Sequence, residues 1–268
     1  MSAPLGGRVA VVTGATRGMG RAIALRLARD GAHCAFTYRR SADLARELAR
    51  EIEALGVRAS AFALDLTEPA QVGPTFEAIG AAFGRVDVLV ANAAATAFRP
   101  LLAQKPHNVE RTFAVSVDSL VAMAQAAVPL MAGRPGRIVV VSGIDSLQAM
   151  AAHAVLGAAK AAAEALVRSL ALELGPLGIT ANAVTPGFID TDSSRRYLAD
   201  GLGVEPGAGA ARIAAMTPVR RIGTVDEVAA LVAFLASDAA GFITGQAIVI
   251  DGGLTVVSAL DRLADGPR

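Results

Sequence analysis

The stretch Arg8-Val9-Ala10-Val11-Val12-Thr13-Gly14-Ala15-Thr16-Arg17-Gly18-Met19-Gly20 decides the fold. An apolar, β-branched run enters a turn with glycines at 14, 18 and 20, and an Ala/Leu-rich segment follows over Met19–Asp30. Glycine permits positive φ and lets backbone N–H groups approach a ligand closely, while a helix N-terminus adds partial positive charge. A strand that feeds a helix through such a turn therefore predicts a pyrophosphate cradle.

Working outward, short apolar runs alternate with longer helical ones. Strands are predicted over Arg8–Thr13, His33–Tyr38, Ala59–Leu64, Val86–Ala91, Arg137–Val141, Thr180–Val184 and Gln246–Ile250. Helices are predicted over Met19–Asp30, Ala42–Leu55, Ala70–Phe83, Asn108–Met131, Ala152–Leu174 and Val225–Leu235. Strands apolar on both faces belong in a parallel sheet covered on both sides. The expectation is an α/β, Rossmann-type doubly wound parallel sheet of about seven strands with helices on both faces. One dinucleotide-binding domain is expected over 1–268, because no linker or charge block interrupts the chain. Residues 188–216 are glycine-rich and follow the sixth strand, where ligands bind in such folds, so they read as a substrate lid or as a plain surface loop.

Composition narrows the function. A net charge of +1 argues against general nucleic-acid binding. A single cysteine, Cys34, excludes an internal disulfide framework, and Cys34 with three scattered histidines shows no metal-ligand spacing. Mean hydropathy is positive, +0.49, yet no run of about 18 uncharged apolar residues appears. Met1–Gly7 carries no basic region leading into an apolar stretch, so a cytoplasmic protein is expected. There are only two tyrosines, Tyr38 and Tyr197, and three histidines, His33, His107 and His153. Any acid–base mechanism must draw on few residues.

Strand two ends in Tyr38-Arg39-Arg40-Ser41. A site for NADH usually has a carboxylate here for the ribose diol. Guanidiniums instead suit a phosphate, so the expected cofactor is NADPH.

Several motifs in order resemble the short-chain dehydrogenase/reductase family over essentially the whole chain. They are Thr13 to Gly20, Asp65-Leu66, Ala91-Asn92-Ala93-Ala94, Pro186-Gly187 with Thr191 beyond, Gly245-Gln246 and Asp251-Gly252-Gly253. The resemblance implies cofactor contacts at Gly14, Thr16, Arg17, Gly18, Met19, Gly20, Arg39, Arg40, Asp65, Leu66, Asn92, Ala93, Lys160, Pro186, Gly187, Ile189 and Thr191. In this family the lysine bonds the nicotinamide ribose, which assigns Lys160.

The rest of the family's catalytic pattern is absent. Leu156 stands where a tyrosine precedes the lysine by four residues, Gly143 stands seventeen before it with Ser142 one residue off, and Ser116 replaces an asparagine. The enoyl-thioester reductase branch places its tyrosine seven before the lysine, and that position is His153. Ile189-Asp190-Thr191-Asp192 also resembles one subgroup of that branch. The implied activity is NADPH-dependent reduction of the C=C bond of an enoyl thioester, cyclic or branched chains included, carried on acyl carrier protein or CoA. Lys160, His153 and Ser142 are the expected catalytic residues, and Leu156 and Tyr197 the expected substrate contacts. Arg195-Arg196 are candidates for a carrier phosphate, or an exposed basic turn. Asp145 and Ser146 lie on the same loop without an assigned role. The family's habit implies a homo-oligomer, usually a tetramer, through Asn108–Met131 and Ala152–Leu174. Two alternatives stay open: an atypical carbonyl reductase or alcohol dehydrogenase using Ser142, and a non-catalytic dinucleotide-binding regulator or assembly partner.

Overall fold

The structure is a computed structural model and describes residues 3–258. The outermost ends of the domain expected over 1–268, including Met1 and Ser2, lie outside the described residues. Seven parallel strands form one sheet in the order β3-β2-β1-β4-β5-β6-β7. They are β1 (Val9–Val12), β2 (His33–Tyr38), β3 (Ala59–Ala63), β4 (Val88–Ala91), β5 (Gly136–Val141), β6 (Ile179–Pro186) and β7 (Ala247–Ile250). The predicted strands all form, within one or two residues at each end.

Helices cover both faces. On one side, α1 (Gly18–Arg29), α2 (Ala42–Glu53) and α9 (Val225–Ala236) close a core around Ile23, Leu27, Phe36, Leu48 and Val232. On the other, α3 (Val72–Phe83), α4 (Pro106–Phe113), α5 (Ser119–Ala127) and α6 (Ala154–Leu174) close a second core around Phe76, Ile79, Leu89, Met123 and Val167. Truncating a fully buried aromatic such as Phe76 to Ala costs about 3–5 kcal/mol. Central strands are buried on both faces, as β5 is throughout, whereas the edge strand β7 alternates with exposed positions. This burial explains why the sequence reads as continuous apolar runs.

Two expectations change in detail. The helix predicted over Asn108–Met131 is broken by a π-helical turn at Ala114–Asp118 between α4 and α5, and ends in a 3₁₀ turn at Val128–Met131. Its full run, Pro106–Met131, has the length and composition to cross a membrane. Leu120, Met123, Ala127 and Met131 are nevertheless buried against the sheet, as in a core helix. The lid region is more ordered than its glycines suggest: α7 (Asp192–Arg196), a π turn (Tyr197–Gly201) and α8 (Pro206–Met216) fill it. Thr191 caps α7 with Ser194, and the Glu205 carboxylate caps α8. Side-chain caps supply what helical periodicity does not show in such short elements.

Strand order reverses between β1 and β4, so the carboxyl ends of these strands open a crevice at the switch point. The loops after β1, β2, β4, β5 and β6 converge there.

Candidate active site

The glycine turn follows β1 and leads directly into α1. Gly14 and Gly18 hold positive φ, 65° and 54°. At Gly20 the constraint is space, since a Cβ would lie 2.5 Å from both Asn92 Nδ2 and the Gly14 carbonyl oxygen. Asn92 ties the end of β4 to this turn: its Nδ2 donates to the Thr13 carbonyl at 2.9 Å, and its backbone N–H donates to Thr13 Oγ1 at 3.0 Å. Ala93 N–H shares that hydroxyl at 3.2 Å. The turn is thus locked against the neighbouring strand end.

No side chain caps α1, because its N-cap residue is Arg17. The first amides of the helix are left to a ligand, and an anion fits there. The Arg17 guanidinium donates to Ser41 Oγ at 3.1 Å, which brings the turn to the loop after β2. Arg39 and Arg40 on that loop are exposed and make no salt bridge among the described residues. Three guanidiniums around an uncapped helix start are the donor set a dinucleotide with a ribose phosphate requires. At Asp65, burial works to raise the pKa, but bonds from the Thr67 N–H and hydroxyl and the charges of Arg39 and Arg111 outweigh it and hold the carboxyl low. Thr191 faces Gly18 from beyond β6, its Cγ2 3.8 Å from where a Cβ of Gly18 would lie. Thr16 and Leu66 are buried beside these loops, and Met19 is packed against the core. Gly187 closes on β7 through a 2.9 Å bond from its N–H to the Ile250 carbonyl. Ile189 is buried, and it bridges to Gly223.

The substrate side is built by the loop after β5 and the start of α6. Lys160 lies one helical turn beyond Leu156, and its ammonium donates to the Val141 carbonyl at 2.6 Å. Burial pushes Lys160 below the ordinary lysine range, and the carboxylates of Asp145 and Glu164 pull the other way. Glu164 is itself buried, and its Oε1 accepts three hydroxyls: Ser142 at 2.6 Å, Ser146 at 2.8 Å and Thr185 at 3.0 Å. A buried carboxylate needs such partners. This bears on Ser142. Its hydroxyl donates to Glu164 at 2.6 Å, so this structure commits its proton to the carboxylate and not to a substrate.

His153 is the N-cap residue of α6. Its Nδ1 lies 3.0 Å from Asp145 Oδ2, with side-chain exposures of 14% and 7%. Its Nε2 is buried and has no hydrogen-bond partner among the described residues. Phe98 stacks on the imidazole with centroids 5.2 Å apart, and Tyr197 meets it edge-on at 4.3 Å. Tyr197 therefore already points inward from the lid. Its hydroxyl donates to the Ala151 carbonyl at 3.0 Å, and burial followed by the Asp145 charge raises its pKa. Leu156, 9% exposed, occupies the first turn of α6. Ser116 sits in the π turn between α4 and α5 with its hydroxyl buried and without a partner among the described residues, and such turns gather at functional sites.

Arg195 lines a cavity with Gly18 and Thr191 and pairs with Asp190 at 2.9 Å and Asp192 at 3.8 Å, and Arg196 lies 3.8 Å from exposed Asp200. His33 Nδ1 accepts the Arg58 N–H at 3.1 Å, a structural role, and His107 is exposed. Sequence reasoning left Asp145 and Glu164 without roles. The signal for Glu164 was a charge on an otherwise Ala-rich helix one turn after Lys160.

An uncapped phosphate turn, a switch-point crevice and a buried lysine define a dinucleotide-binding α/β protein. A family model described as enoyl-(acyl carrier protein) reductase matches residues 14–255. A 1-cyclohexenylcarbonyl-CoA reductase of Streptomyces collinus is 41% identical over 94% of this chain and 88% of its own. A 3-oxoacyl-[acyl-carrier-protein] reductase of Salmonella typhimurium is 36% identical over 94% and 98%. The crystal structure of a short-chain dehydrogenase from Burkholderia cenocepacia in complex with NADP superimposes with a TM-score of 0.85 at 35% identity, covering 94% and 99% of the two chains. The chain belongs to the short-chain dehydrogenase/reductase family of oxidoreductases.

Proposed function

We propose that the protein is an NADPH-dependent reductase of the C=C bond of an enoyl thioester, with the acyl group on CoA or on acyl carrier protein. One observation carries the reading: the buried Nε2 of His153 lacks a partner among the described residues, at the start of a helix whose resembled tyrosine position is Leu156. The relatives support both alkene and carbonyl chemistry, and the site favours the first.

Bound NADPH would supply a hydride to the β-carbon and leave negative charge on the thioester oxygen, and the α-carbon of that enolate would then take a proton from a side chain or from water to give the saturated thioester. The uncapped start of α1, Arg17, Arg39 and Arg40 would hold its phosphates, and Lys160 its nicotinamide ribose. His153 Nε2 would hold a proton against the thioester oxygen. A donor preorganised where charge develops is the most effective catalytic element in a water-poor site. Leu156, Phe98 and Tyr197 would pack the acyl chain and exclude water. Burial works against the charged form of Lys160, and the Asp145 and Glu164 carboxylates oppose that effect. A ketone reductase must protonate an alkoxide directly, which gives a positioned acid about 10²- to 10⁴-fold. Leu156 cannot serve, and Ser142 is turned to Glu164. Exposed Val121 and Leu172, on the helices expected to meet another subunit, support a homo-oligomer.

The test is NADPH oxidation with a series of 2-enoyl-CoA esters and with His153→Ala. The wild type should turn over, and the variant should lose about 10²–10³ in kcat, the cost of one such donor. Full activity in His153→Ala would remove the donor assignment.

A further inference from the structure

The loop after β5 holds a carboxylate that the proposed reaction does not yet use. Asp145 is almost fully buried, and its Oδ2 lies 3.0 Å from His153 Nδ1. Two glycines make room for it. A Cβ at Gly143 would lie 2.5 Å from Asp145 Oδ1, and a Cβ at Gly157 would overlap the Asp145 carbonyl oxygen. Gly143 is the position where the family resemblance calls for a serine. The missing serine and the carboxylate are thus two sides of one exchange: any side chain at 143 would evict the Asp145 carboxyl group.

The histidine is held from its other sides as well. Ala152 sits at φ 58°, a conformation that costs a residue with a Cβ about 1–2 kcal/mol. Its carbonyl accepts the Arg99 N–H at 3.2 Å, and the Ala151 carbonyl accepts the Tyr197 hydroxyl at 3.0 Å. Phe98 covers one face of the ring. Strain of this kind persists where the surroundings over-determine the backbone, often at functional sites.

We propose that Asp145 is a positioning residue: its carboxylate accepts a hydrogen bond from the Nδ1–H of His153, fixes the ring, and leaves Nε2 as the nitrogen turned away from it, which needs a second proton before it can donate to a substrate oxygen. When the ring is doubly protonated, the same carboxylate neutralises it and Nε2–H becomes the donor. In this protein an aspartate–histidine pair replaces the serine–tyrosine pair of the resembled pattern, and Gly143 is the residue that permits it. The charged or titratable groups linked to the pair are Lys160 from α6 and Tyr197 from the lid, both of which sense the Asp145 charge. The functional weight of the inference rests on the proposed reductase reading, whereas the tautomer does not.

The experiment has two arms on the full chain. In the first, ¹⁵N NMR of the histidine rings reads the Nδ1 and Nε2 protonation of His153, assigned among three histidines by His153→Ala. Wild type should carry a proton on Nδ1, and Asp145→Asn and Gly143→Ser should both shift the His153 resonances. Unchanged resonances in Asp145→Asn overturn the proposal, whether or not any enoyl thioester is a substrate. In the second, kcat is measured for Asp145→Asn, His153→Ala and the double variant. The single Asp145→Asn change should lower kcat about 10²-fold with a smaller effect on KM, and the double variant should be no slower than His153→Ala. Additive losses would mean that Asp145 acts without His153, and would overturn it equally. A shifted tautomer with no enoyl turnover would leave the pair standing and sink the reductase reading instead.

Discussion

The two halves of the crevice match the resembled family pattern unequally. The cofactor half keeps its residues: the Thr13–Gly20 turn, Asp65-Leu66, Asn92 and Thr191 stand in order, and Thr13, Gly14 and Asn92 lock together within 3.3 Å. The substrate half keeps Lys160 and little else. The resembled pattern would place polar residues at Gly143, Leu156 and Ser116, and here Asp145 meets His153 while Glu164 accepts the Ser142 hydroxyl. A dinucleotide presents the same phosphates to every relative, so its cradle is fixed by backbone geometry. A substrate differs from one enzyme to the next, and the loop after β5 can be rebuilt without disturbing the sheet.

Four variants break or sharpen this contrast. Lys160 is proposed to serve both halves, so Lys160→Met should have the largest effect, a loss of about 10²- to 10³-fold in kcat together with weaker NADPH binding, followed by steady-state kinetics and fluorescence titration. Next, Arg39→Ala should weaken NADPH but not NADH by about tenfold or more, the range for a charge-assisted bond of 1.5–3 kcal/mol. An equal loss for both cofactors would place Arg39 away from the ribose phosphate.

The third variant concerns charge beneath the substrate half. Burial lowers the Lys160 pKa, and Glu164 opposes that shift. Removing the Glu164 charge should therefore lower the Lys160 pKa further. The alkaline fall in activity, where the ammonium loses its proton, should move to lower pH in Glu164→Gln. A pH–rate profile that keeps its alkaline limb in place would separate Glu164 from Lys160. Smallest on catalysis is Ser142→Ala. Because its hydroxyl serves Glu164, the change should cost about 1 kcal/mol of stability by denaturant titration and only a few-fold in kcat. A loss as large as that of His153→Ala would restore Ser142 as a catalytic donor.

The fold was legible because its period-free apolar strands and Ala/Leu-rich helices alternate without interruption, and the cofactor half because glycine spacing reports backbone geometry directly. His153 and Lys160 were legible as a spacing of seven on one helix start. Asp145 was visible only as a polar residue on a loop, since its meeting with His153 depends on a positive φ at Ala152 and on two glycines that leave it room. The fate of Ser142 depended on a carboxylate 22 residues later, a contact made through the fold and not through local spacing. The lid helices escaped notice because glycines at 201, 203, 207 and 209 mask caps that act through side chains.

The central claim is that the substrate half has exchanged carbonyl chemistry for alkene chemistry. It is tested most directly by presenting the enzyme and NADPH with a 2-enoyl-CoA and the 3-oxoacyl-CoA of equal chain length, and comparing kcat/KM with the products identified by mass. The first should give a saturated acyl-CoA, and turnover of the second should be at least about 10²-fold slower. Faster reduction of the 3-oxo ester, with the enoyl ester left intact, would contradict it.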